Sequence, residues 1–108
     1  MEASDYCIIT TTTDTKENAD LITRVLLEKK LVACVQSSTI QSAYHWQEKI
    51  IHSEEIRLDM KTQRSLFETI QREIGHLHTY DLPEIIMVPL SGANPEYLQW
   101  IDEETTKI

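Results

Sequence analysis

The side chains with chemistry to offer are four histidines, two cysteines, and a scatter of carboxylates and tyrosines. His76 and His78 stand two apart at the end of a helical pattern, in a loop that can turn both imidazoles toward one cation. His45 and His52 lie on segments of strand character, with His45 out of phase with Tyr44 and Trp46. No H-E-x-x-H or C-x-x-C gathers a ligand set locally, so loop histidines without a metal are the plainer reading, and a metal pair stays open beside it. Cys7 and Cys34 each sit in an apolar, strand-like run and read as two buried reduced thiols, not a disulfide framework. Glu54 and Glu55 are neighbours on a strand pattern, where adjacent side chains face opposite sides and cannot share a substrate. They read as solvated strand-end charges. Lys61 closes the polar face of the same strand, able to hold an anion or to pair with Glu55. Tyr44 and Trp46, near a hairpin tip, mark an interface more readily than a ligand cage. No nucleophile elbow accompanies any Ser, His and Asp, so no enzyme is expected.

Composition narrows the partners. The chain has 108 residues and a formal net charge of -8, the size of one domain, taken as 1–108. Two glycines, Gly75 and Gly92, exclude the G-x-G-x-x-G fingerprint and the G-x-x-x-x-G-K-[ST] loop. The acidic balance argues against nucleic acid, whose phosphates call for Lys and Arg, and fits cationic partners better. Apolar runs such as Leu31–Val35 and Ile85–Leu90 are far short of the ~20 residues that cross a bilayer. The acidic start, Met1 to Asp5, has no apolar stretch behind a basic one, so the expectation is no signal peptide, no membrane and a cytoplasmic setting.

The elements that must position these groups follow from periodicity. Tyr6 to Thr12 is β-branched and aromatic, a first strand. Asp14 and Glu17 resemble a capping box, and Ala19, Ile22, Val25 and Leu26 predict a helix from Lys16 to Lys30. Strand character runs from Val32 to Trp46, breaks at Gln47-Glu48-Lys49, and resumes to Lys61. In that last stretch Ile50, Ile56, Leu58 and Met60 alternate with Glu55, Arg57, Asp59 and Lys61. A hairpin with arms this long overhangs a small domain, and a second copy of the chain is its simplest cover. Ser65 and Glu68 suggest another capping box, opening a helix that stops near Gly75. Glu84 to Pro89 reads as a strand buried on both faces. Asn94-Pro95 opens a last helix carrying Tyr97, Leu98, Trp100 and Ile101. The order predicts an α+β, ferredoxin-like βαββαβ sheet with an extended β2–β3 hairpin and a C-terminal helix, both main helices on one face and the other face bare.

Over this frame, five stretches in order resemble the divalent-cation tolerance family, CutA. They are Leu31–Val35, Ser42–Ile50, Glu54-Glu55 through Lys61-Thr62, His78–Ile86, and Tyr97–Ile101. The resemblance spans nearly the whole chain. It implies a tight homotrimer, similar in architecture to PII signalling proteins, whose long hairpin arms pair between subunits. It also implies a role in tolerance to copper and other divalent metals in bacteria, while an animal branch is linked to acetylcholinesterase anchoring. The family copper site uses a first-strand cysteine and two adjacent loop histidines. The matching positions here are Thr10, Leu77 and His78, so His78 keeps the ligand and His76 is a substitute one step out. The family turn Glu-Gly-Lys becomes Gln47-Glu48-Lys49, and losing its glycine predicts a longer or looser turn.

The resemblance thus implies a cytoplasmic, non-enzymatic homotrimer with no obligatory cofactor, binding a divalent cation such as copper, or a small ligand, in clefts between subunits. Candidate cleft residues are Cys34, Trp46, Glu55, Lys61, Tyr80 and Glu84, with His78 and His76 for metal. The alternative is a PII-like signalling or interaction scaffold to which metal binding is incidental. A small enzyme using Glu55, Lys61, His78 and Tyr80 across an interface is a third reading, testable by whether the four converge within hydrogen-bond reach.

Overall fold

The computed structural model of the chain describes residues 1–106; Lys107 and Ile108, the end of the expected domain, lie outside them. Four strands and three helices alternate as β1 (Tyr6–Thr13), α1 (Lys16–Glu28), β2 (Cys34–Trp46), β3 (Lys49–Gln63), α2 (Phe67–Leu77), β4 (Ile85–Pro89) and α3 (Pro95–Glu104). The sheet order is β2-β3-β1-β4 and every neighbouring pair is antiparallel. This is the expected α+β, ferredoxin-like arrangement.

Strand register decides which side chains meet the helices. Ile9 lies opposite Met60 and Thr11 opposite Leu58, so these four share one face. α1 and α2 press Ile22, Leu26, Ile70 and Ile74 onto it, closing the main core. On the opposite face Tyr6, Thr10, Thr12, Glu55, Arg57 and Asp59 alternate with that set. The expectation of an entirely bare second face needs correction. α3 folds over its Tyr6 end, where Tyr6, Leu98 and Ile101 make a second buried cluster. Beyond α3 the face is open, with Ile86 and Val88 about half exposed, at 49% and 56%. β4 is therefore an edge strand covered on one side, not a strand buried on both.

Local caps differ from the sequence pattern in instructive ways. The first helix is capped by Thr15, whose hydroxyl accepts the Asn18 N–H at 3.1 Å, in place of an Asp14–Glu17 box. It ends at Glu28, not Lys30, because Lys30 turns left-handed (φ 57°). The Leu31 and Lys30 N–H groups then reach back to the Leu26 and Leu27 carbonyls, a Schellman closure with Lys where Gly is usual. α2 is entered from a 3-10 turn at Arg64–Leu66, with Leu66 at its N-cap and no side-chain cap from Ser65. It runs through Gly75 to Leu77.

The hairpin turn is tight. Trp46 pairs directly with Lys49, leaving a two-residue loop in which Gln47 (φ 50°) and Glu48 (φ 65°) are both left-handed. Each residue with a Cβ gives up roughly 1–2 kcal/mol there, and thirteen register pairs from Cys34 to Trp46 hold the turn despite it. The arms stretch the molecule to 45 Å along its longest axis, against 27 and 21 Å across.

Candidate functional site

Where the long hairpin leaves the body of the sheet, the loop after α2 folds against its open face. The loop is pinned where it leaves α2. The Asn18 side chain donates to the Leu77 carbonyl at 2.9 Å, and the Thr79 hydroxyl donates to Asp14 at 2.9 Å. His78 is the brace between them. Its Nδ1 accepts the Tyr80 N–H at 3.0 Å, so the ring proton sits on Nε2, which donates to the Thr12 carbonyl at 2.7 Å. The His78 and Tyr80 rings lie against one another, centroids 4.9 Å apart.

This brace aims the Tyr80 hydroxyl at Glu55, to which it donates at 3.2 Å. From β2, the Ser42 hydroxyl donates to the other carboxylate oxygen at 3.1 Å. Ser42 pairs with Ser53, two residues before Glu55, so the contact is diagonal across the hairpin. Burial, with the nearby Glu55 carboxylate second, raises the Tyr80 pKa well above the usual phenol range. Glu55 itself is only 6% exposed, so it is not the solvated strand-end charge its position suggests.

Glu55 and Tyr80 line a cavity of about 580 Å³ together with Ser42, Tyr44 and Trp46. Asp81 and Glu84 contribute from the loop side, and Thr12 from β1. The six cleft candidates thus divide. Trp46, Glu55, Tyr80 and Glu84 meet at this cavity. Cys34 and Lys61 pair with one another six register positions from the Ile40–Glu55 pair, about 20 Å along the strands. The expected Lys61–Glu55 ion pair is therefore out of reach within one chain; the Lys61 ammonium donates to Gln36 instead. Cys34 is half-buried near Tyr97, while Cys7 is sealed in the core, its thiol pushed up to about 11 by burial. Within one chain Lys61 lies away from Glu55 and Tyr80, so the four residues of the enzyme reading are not brought together by a single copy.

Metal ligands fit less well. Among the described residues no group of three or more His, Cys, Asp or Glu side chains could hold one ion. Both ring nitrogens of His78 are taken by the chain itself, and Thr10 donates its hydroxyl to Asp59 at 2.7 Å. The described residues of one chain therefore offer no complete ligand set for copper.

The sequence reading passed over Ser42, Thr12, Asp81 and Leu82 as cavity residues. A two-residue turn at 47–48 sets the Ser42–Ser53 register, and reading Gln47-Glu48-Lys49 as one polar break hides it.

A scan of protein families matches residues 7–104 to the CutA1 divalent ion tolerance protein. The divalent-cation tolerance protein CutA of Pyrococcus horikoshii is 35% identical over 100 residues, covering 93% of this chain and 98% of that protein. Among solved structures, CutA from Xylella fastidiosa superposes with a TM-score of 0.91 at 38% identity, covering 95% of this chain and all of that one. The protein described as the periplasmic divalent cation tolerance protein CutA from Archaeoglobus fulgidus gives 0.90 at 35% identity, covering 92% and 97%. No helix among the described residues is long and apolar enough to cross a membrane. A family match over nearly the whole chain, on the same ferredoxin-like frame, places this protein in the CutA1 divalent ion tolerance family.

Proposed function

We propose that this chain works in the cytoplasm as a non-enzymatic homotrimer in divalent-metal tolerance, with copper among its metals, and that clefts between subunits bind metal ions or a small ligand. The observation that carries this reading is the overhanging hairpin. Its arms of 13 and 15 residues extend past the body of the sheet, and Ile50 stands exposed on them, outside the cavity. At the other edge of the sheet the apolar Ile86 and Val88 of β4 are open as well. A second and a third copy would cover these surfaces and pair the free edges.

The same assembly supports the metal reading. A subunit with no three-ligand cluster among its described residues needs donors from its neighbours to complete a site. His76, His78, Asp81 and Glu84 lie on or near the loop that such a neighbour would meet, and His78 would have to release Tyr80 or Thr12 to take part.

Size-exclusion chromatography with light scattering, coupled to calorimetric titration with copper, tests the proposal. Wild type should run at three chain masses and bind copper saturably. Ile86→Asp should lower the mass to one chain with far-UV circular dichroism retained, and should lose the saturable isotherm. A wild-type monomer at micromolar concentration overturns the trimer. A trimer without saturable copper binding removes the metal and leaves an interaction scaffold.

A further inference from the structure

The cavity at the base of the hairpin has walls for which a metal ion has no use. Its volume, about 580 Å³, falls within the range of small-molecule sites. Its floor is the Glu55 carboxylate, more than nine-tenths buried. The ion pairs among the described residues join Lys16 to Asp20, Arg24 to Glu28, Lys29 to Glu73 and Arg57 to Asp59, and none includes Glu55. Among the described residues of the chain only two neutral hydroxyls, those of Ser42 and Tyr80, donate to it, one to each oxygen. Each oxygen of a carboxylate has room for a second donor, and a buried carboxylate met only by neutral groups is short of compensation.

What surrounds it is chiefly acidic and aromatic. Tyr44 and Trp46 share the strand face of Ser42 and Glu55, and both remain partly open, at 40% and 47% exposed. Asp81 and Glu84 add two more carboxylates, His45 is the one basic residue on the wall, and among the described residues no Lys or Arg lines the cavity. Three carboxylates that do not gather into a metal-binding group, facing two aromatic rings, suit a positive charge spread over a larger body than a bare ion.

We infer that this cavity binds a small organic cation, one carrying a primary ammonium or guanidinium group whose N–H donors go to Glu55 and whose carbon body lies against Tyr44 and Trp46. The inference rests on the proposed reading that the cleft takes a small ligand, and it names the class of that ligand. The anchor is Glu55. The two hydroxyls fix the orientation of its carboxylate, and the His78 brace fixes Tyr80. The aromatic pair supplies apolar contact and the negative faces of its rings.

Calorimetric titration of the full chain with n-butylammonium and n-butylguanidinium tests it, with butyrate as the anionic counterpart and tetramethylammonium as a cation lacking N–H. The first two should bind saturably, tetramethylammonium more weakly, and butyrate not at all. Glu55→Gln keeps the shape and both hydroxyl contacts while removing the charge, and should weaken butylammonium about tenfold or more. Trp46→Ala should weaken it several-fold, and Arg24→Ala, on α1 and away from the cavity, should leave it unchanged. Mass by light scattering is read on each sample, so loss of the trimer, which counts against the functional reading, is told apart from loss of the cation site. An intact trimer that takes no ammonium, that binds butyrate as well, or whose isotherm survives Glu55→Gln overturns the inference. So does a mass change on Glu55→Gln in a protein that takes no ammonium, since Glu55 is then serving a neighbouring subunit.

Discussion

Two tyrosine–carboxylate pairs stand at opposite ends of the same sheet face, and they differ in what lies over them. The Tyr6 hydroxyl donates to Asp102 at 2.6 Å beneath α3, with Leu98 and Ile101 packed around the ring and Tyr6 only 3% exposed. The Tyr80 hydroxyl donates to Glu55 at 3.2 Å on the wall of an open cavity. At the first end the chain supplies its own cover, and the hydrogen bond is a clamp tying the first strand to the last helix. At the second end the carboxylate is buried while the space in front of it is left free. A phenol on a carboxylate is therefore not itself a sign of function; the vacant volume and the aromatic faces beside it make the difference.

The largest expected effect comes from removing the cover at the sealed end. Leu98→Ala deletes a side chain 3% exposed from the cluster over Tyr6, and buried Leu→Ala changes cost about 2–5 kcal/mol. Urea unfolding at fixed protein concentration should show a loss of about 3 kcal/mol with the cation and copper isotherms unchanged. A loss below about 1 kcal/mol would mean that α3 is a detachable arm and that the two ends are alike.

Exchanging each tyrosine for phenylalanine sharpens the contrast. Tyr6→Phe removes a short bond to a carboxylate, and such bonds contribute about 1.5–3 kcal/mol. Tyr80→Phe removes a longer one where water from the cavity can replace the hydroxyl, so its stability cost should be about 1 kcal/mol or less. Butylammonium affinity should respond in the reverse order: unchanged in Tyr6→Phe and weakened in Tyr80→Phe. Equal stability losses with no change in affinity would erase the distinction.

The sealed end was the more legible of the two in sequence. Asn94-Pro95 signalled where α3 begins, and Tyr97, Leu98, Trp100 and Ile101 gave it an apolar side. What no local pattern shows is where that side docks: Tyr6 and Asp102 are 96 residues apart. The main core was legible because alternation in β3 and helical spacing in α1 and α2 agree on which residues face inward. The open end was harder. Glu55 sits in phase with Arg57, Asp59 and Lys61 and reads as wet, yet the loop from His78 to Glu84 comes back from a distant part of the chain to cover it. Its partner Ser42 depends on a hairpin register set by two left-handed residues, neither of them Gly or Asn, so the usual turn signal is missing. The family resemblance named Glu55 and Tyr80 as cleft residues without the geometry that joins them.

Alkali probes both pairs at once, with the smallest expected effect. Burial, followed by the hydrogen bond to Asp102 and its charge, pushes the Tyr6 pKa up to about 12 from the ordinary 10. The Tyr80 pKa is raised by burial first and by Glu55 second. Between pH 10 and about 12 the unfolded chain has lost the Tyr6 proton while the folded chain keeps it. The folded state then binds more protons, so stability falls as pH rises. The contribution is whole below pH 10 and is lost as pH climbs through the folded value. Urea midpoints measured from pH 9 to 12 should decline over the upper part of that range, and Tyr6→Phe should flatten the decline from its lower starting stability. Butylammonium at saturation should protect the wild type against this loss, because binding to the folded state alone adds stability by mass action. That protection should be present in Tyr6→Phe and absent in Glu55→Gln, since only the open pair faces the ligand. Protection surviving in Glu55→Gln would place the cation elsewhere on the molecule and leave the two tyrosine–carboxylate pairs as two clamps.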